Sequence, residues 1–244
     1  MSELRRFIST SNASFQEHLQ HPQMQELFKM AEQYCETMVP VLALDIDGNP
    51  APQLLIQVST TTFMCAFHLA FSGHTAAVHA TTRAALEAAL FGYVVSRGDE
   101  HFDRWTNPPR DFKKKVHASE AFRLLEKEGI EEHRELKASY EDLIARGAHP
   151  NRLAVARHTR STPNEGGEEL EFTAIYPPSK NSLVHIAHVI GTAAMSMVVG
   201  GATLTGSRER LFREGRSLYK RLLTFLEANA APSSPLPAGA TSSN

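Results

Sequence analysis

Residues Ser72–Arg97 read as one long helix that is apolar on nearly every side, and a helix of that kind has no face to give to water. The rest of the chain must wrap it. Two uncharged stretches make the same demand, for no Asp, Glu, Lys or Arg occurs from Gly48 to Thr82 or from Asn181 to Ser207. Each is long enough to be weighed as a membrane span, which wants about 20 predominantly apolar residues. Prolines and hydroxyls break the first, and His185, His188, Gly191, Gly200 and Gly201 interrupt the second. Both are therefore read as core helices, and no membrane partner is expected.

The other elements follow from spacing. From Pro22, a favoured first helical residue, Met24, Leu27, Phe28, Ala31, Tyr34, Cys35 and Met38 recur at three and four. After Asp47-Gly48-Asn49-Pro50, a helix is expected over Pro52–Phe71, kinked or separated from the central one at Ser72-Gly73. A short helical turn precedes Asn107-Pro108-Pro109. Two densely charged helices, Asp111–Glu128 and Ile130–Arg146, read as a solvated outer layer. Leu153–Thr159 and Glu169–Tyr176 read as a peripheral β-hairpin. A helix capped by Ser179 or Asn181 then runs to about Thr203, and a last one spans Ser207–Glu227. The fold class is mainly α, an up-and-down helical bundle with a small peripheral hairpin. One domain is expected over residues 1–229, with a disordered Pro/Ser/Ala-rich tail over 230–244.

Chemistry concentrates in two polar rows. Thr75, His79, Arg83 and Glu87 stand four apart on the central helix, each step turning only about 40°. Asn181, His185, His188, Thr192 and Ser196 form a second row on the other uncharged helix. If the rows face one another, His79, Arg83, Glu87, His185 and His188 line a polar interior, with His149 and Asn151 of the Gly147-Ala-His-Pro-Asn151 loop at its rim. The plainer alternative is that Arg83 and Glu87 pair within their helix and the histidines bond to backbone. Replacing Arg83 by Met is expected to cost about 3 kcal/mol or more by stranding Glu87.

Several function classes find no support. The net charge of −2 balances 25 basic against 27 acidic residues, so no whole-molecule field favours nucleic acid. Twelve histidines show none of the usual local metal patterns, so no metal is expected. No glycine-rich phosphate loop and no G-x-S-x-G elbow occurs, and no cofactor is called for. Cys35 and Cys65 lie in apolar helical patterns as small core residues, consistent with a reducing compartment; with no secretory apolar run at the N-terminus, a cytoplasmic location is expected. The last helix carries Arg208, Arg210, Arg213, Arg216, Lys220 and Arg221, a basic face able to meet RNA phosphates.

Two resemblances attach to these residues. Thr82-Arg-Ala-Ala-Leu-Glu-Ala-Ala-Leu90, Trp105 after a short acidic turn, and the stretch Tyr140-Glu-Asp-Leu-Ile-Ala-Arg-Gly-Ala-His-Pro-Asn151 together resemble a family of bacterial helical proteins of unknown function, over about residues 50–210. That resemblance implies the helical fold and draws attention to Arg83, Glu87, His149, Pro150 and Asn151. More broadly the chain resembles the HEPN group of helical domains, some of them metal-independent ribonucleases with four to six residues between an arginine and a following histidine. There the pair would handle the RNA phosphate and the 2′-hydroxyl proton. Arg110 with His117 fits that spacing, as does Arg152 with His158, and Arg110 is preferred because Arg152 falls in an expected strand. The function expected is a non-catalytic helical binding or regulatory protein, a homodimer through an apolar helix face, with the ribonuclease as alternative.

Overall fold

The computed structural model describes residues 2–43, 49–107, 118–148, 159–164, 167–172 and 175–229. Among these the chain is mainly α-helical, with helices α1 (Glu3–Gln20), α2 (Pro22–Met38), α3 (Ala51–Phe71), α4 (Thr75–Val95), α5 (Asp99–Thr106), α6 (Ala118–Lys127), α7 (His133–Leu143), α8 (Lys180–Thr203) and α9 (Arg208–Asn229). A 3-10 turn, Val39–Ala43, follows α2, and a π-helical turn, Ile144–Ala148, ends α7.

Local chemistry sets most boundaries. Ser179 Oγ accepts from the Ser182 amide and caps α8, while Pro22 supplies the first residue of α2. The break between α3 and α4 is sharp. Gly73 takes φ +78°, and its carbonyl accepts from the Tyr176 amide, so the turn clasps the strand of chain that leads into α8. Thus α4 begins at Thr75, three residues later than the apolar pattern alone suggests.

The centre of the molecule is α4. Its most extensive packing is on α3 and then on α8, and α6 and α7 lie against its other side. From Ile186 to Ala202 every residue of α8 except His188 is buried. Helix α9 lies close against it, since a Cβ on Gly215 would come within 2.7 Å of the Ala194 carbonyl oxygen. Tyr34 of α2 meets Phe63 and Phe67 of α3 edge-on at 5.6 and 5.5 Å, the favoured aromatic geometry. Among the described residues, helices α3 and α8 have length and composition enough to cross a membrane. The apolar window of α8 is 78% buried within the protein, as in a core helix, against 44% for α3.

One expectation needs correction, and one helix was not expected. Helix α1 has no counterpart in the sequence reading; its buried side mixes the polar Ser11, Ser14 and His18 with the partly buried Phe15 and Leu19, which interrupts the apolar spacing of Leu4, Ile8 and Phe15. Cys65 is exposed on α3 rather than set in the core. Within the expected helix over 111–128, only α6 is described. Residues Arg110, His117, His149, Pro150, Asn151, Arg152 and His158, and the tail over 230–244, lie outside the described residues, as do the side chains of Trp105 and Asn181.

Candidate functional site: a polar seam between α4, α7 and α8

The fourfold spacing on α4 turns His79, Arg83 and Glu87 toward the side where α7 and α8 pack. His79, nearly fully buried, places Nε2 3.0 Å from Nδ1 of His185 on α8. The two rings sit edge-on with centroids 4.9 Å apart, and the His188 ring lies 5.8 Å from that of His79. Three imidazoles from two otherwise apolar helices therefore cluster in one place, and the two polar rows do face each other.

The third wall comes from α7. Asp142 Oδ2 lies 3.2 Å from His188 Nδ1 and also pairs with Arg146 in the π-helical turn. The carboxylate is an ion-pair partner for the ring when the imidazole is protonated. Burial holds the His188 pKa below its ordinary value; Asp142 opposes that shift and Arg146 adds to it. Single helical π turns recur at functional sites, and this one sits beside α4.

One turn along α4, Arg83 and Glu87 form the expected ion pair, with Nε and Nη2 of Arg83 both 2.9 Å from Glu87 Oε1. The pair is closed by Tyr140 of α7. Its hydroxyl donates to Glu87 Oε1 at 2.8 Å and accepts from Arg83 Nη2 at 3.3 Å. Burial and then the hydrogen bond to Glu87 raise the Tyr140 pKa. Arg83 is raised as well, because Glu87 and Tyr140 outweigh a burial cost acting the other way.

The chain matches no protein-family model, no curated protein and no solved structure.

Tyr140 belongs to a second feature too. An open groove of about 750 Å³ lies between α6 and α7, lined by the apolar Phe122, Ala138 and Ile144, by Tyr140, and by charges of both signs, Arg134 and Lys137 beside Glu126 and Glu141. The Tyr140 ring meets Phe122 edge-on at 5.8 Å. Volumes of about 300–1,000 Å³ are usual for small-molecule sites.

Tyr140, Asp142 and Arg146 were not singled out by sequence reasoning as site residues. Tyr140, four residues after Leu136, falls on the apolar side of its helix, and the i, i+4 spacing of Asp142 and Arg146 was the one available signal. Among the described residues no group of three or more His, Cys, Asp or Glu side chains is placed to hold a metal ion. On α9, much of the basic face is already engaged: Arg216 pairs with Glu132, Arg221 with Glu26, and Arg213 with Glu214.

Proposed function

We propose that this chain is a non-catalytic helical binding or regulatory protein whose ligand is a small organic anion with an apolar body. The body would rest on Phe122 and Ile144 in the groove, and the charged end would meet Arg134 and Lys137. The observation that carries this reading is the double role of Tyr140. The same side chain walls the groove and bridges Arg83 to Glu87, so occupancy of the groove bears on the seam. Buried polar networks are costly relative to apolar packing, and a seam retained between the two apolar helices is consistent with a use beyond stability. NMR-monitored titration with phenyl phosphate and with hexanoate tests it. Saturable shifts on α6 and α7 are expected, weakened about tenfold by Lys137→Glu. Absence of any saturable shift from either probe into the millimolar range overturns the proposal.

A second reading, a metal-independent ribonuclease of HEPN type using Arg110 and His117, is favoured by one feature of the seam. The carboxylate of Asp142 behind His188 is the arrangement by which a base is oriented. Cleavage of RNA by the purified protein, lost in His117→Ala or in His188→Ala, would support it; an inactive wild-type protein removes it. RNA contact through α9, a cytoplasmic location and kinship with the bacterial helical family are proposals of the same standing. So is a peripheral hairpin, supported by antiparallel backbone partners that set Thr159 opposite Phe172 and Ser161 opposite Leu170.

A further inference from the structure

His133 is the first residue of α7, and its side chain lines the groove between α6 and α7. The ring is held at one nitrogen. Nδ1 lies 2.8 Å from the Ile130 carbonyl oxygen, which can only accept, so Nδ1 carries a proton in this bond. Nε2 is then the nitrogen that gains or loses a proton as the ring titrates. An oxygen of Glu126 on α6 lies 4.0 Å from Nε2, too far for a hydrogen bond, and the Glu126 side chain is 69% exposed. That carboxylate does not engage the ring.

The fixed charges around the ring cancel. Arg123, which also lines the groove, is held by both oxygens of Glu120 at 3.0 and 2.7 Å. This leaves Arg134 and Lys137 against Glu126 and Glu141, two positive groups and two negative. The elements behind α7 do not alter the balance. On α4, Arg83 is paired with Glu87; Asp142 serves His188 of α8 and Arg146 of the π-helical turn. Glu131, Glu132 and Glu135 line a separate cavity against α9, where Arg216 pairs with Glu132. A lining so balanced does not by itself select an anion, and a proton on His133 tips it. His133 and Lys137 stand four apart on α7 and so share one ridge, where a protonated ring sets two cations side by side. An anion between them relieves that repulsion and takes a charge-assisted hydrogen bond from Nε2. We infer, resting on the reading of the groove as an anion site, that His133 contacts the ligand's charged end in its protonated form, so that the groove holds anions more tightly as the pH falls.

NMR-monitored titration at about pH 7.5 and about pH 5.8, a span in which histidine changes charge, tests this with hexanoate and benzenesulfonate. Each probe keeps one negative charge at both values. Binding is expected to be about threefold tighter at the lower pH, the worth of one more exposed ion pair. His133→Gln is expected to bind equally at the two values. By linkage, saturating probe should also move the titration of the His133 ring protons of the wild-type protein to higher pH, a readout that stands even if His133→Gln does not fold. Binding that is equal at the two pH values in the wild-type protein overturns the inference and leaves the anion reading intact. A pH effect that survives in His133→Gln, or ring protons whose titration ignores the probe, overturns it in the same way. Absence of saturable binding by both probes at the lower pH also overturns it, and phenyl phosphate then decides the anion reading alone.

Discussion

Nε2 of His79 lies 3.0 Å from Nδ1 of His185, across the contact between α4 and α8. Although α4 is less apolar than α3, its contact with α8 is where this bond lies, and for it to exist one ring must offer a lone pair, so the two cannot both be fully protonated while it holds. The seam is thereby tied to the protonation of its imidazoles.

Stability is expected to fall as the solution is acidified below about pH 6.5. Burial lowers the folded-state pKa of His18, His74 and His188 below the ordinary 6.5. A lowered pKa means that the unfolded chain binds more protons in this range, so the stability these groups provide is complete above 6.5 and is lost as pH drops through the folded values. Around His188 the groups concerned are His79, His185, Asp142 and Arg146. Urea midpoints measured across this range should show the slope, and His188→Gln should flatten part of it.

Arg83→Met is expected to cost about 1–2 kcal/mol, less than the pair alone suggests. Glu87 keeps the Tyr140 hydroxyl, and its side chain is 28% exposed. Tyr140→Phe removes both bonds that the hydroxyl makes and should cost about 1 kcal/mol. The double variant should lose measurably less than the sum, since all three groups form one network. Strict additivity in denaturant unfolding would mean that Tyr140 does not couple to the pair.

Gly73→Ala should be severe for so small a change. The residue sits at φ +78°, and a Cβ there would come 2.3 Å from the Tyr176 carbonyl oxygen. A loss of about 2 kcal/mol or more is expected, from the strained backbone and from release of the 175–179 segment that leads into α8. A melting temperature within a degree or two of wild type contradicts it.

Protein purified without chelator is expected to carry no stoichiometric transition metal. The three imidazoles of the seam are engaged with one another and with Asp142, and the described residues offer no set of ligands that converges on one point. Elemental analysis decides the matter, one bound metal per chain being the contrary result.

Much of the helical layout is legible from residue order. Helix α2 follows from Pro22 and the recurrence of Met24, Leu27, Ala31, Tyr34 and Met38, all now buried. Helix α8 follows from its lack of charge and its Ser179 cap. Helix α1 was not legible, because it buries two serines and a histidine, Ser14 and His18 being linked through the Ser14 carbonyl, which accepts at 2.8 Å from His18 Nδ1. Those polar residues interrupt the apolar spacing of Leu4, Ile8 and Phe15 on the same helix.

The candidate site divides along the same line. That His79, Arg83 and Glu87 share a face of one helix, and that His185 and His188 share a face of another, is a property of 3.6 residues per turn and needs no tertiary information. So is the burial of α8, whose uncharged run has no face for water, whereas α3, equally uncharged, keeps Leu54, Val58 and Met64 exposed. The meeting of the two rows, the closing of Arg83–Glu87 by Tyr140 and the seating of Asp142 behind His188 depend on how three helices rotate and slide against one another. Side-chain packing summed over the whole core settles that arrangement, and no local pattern encodes it.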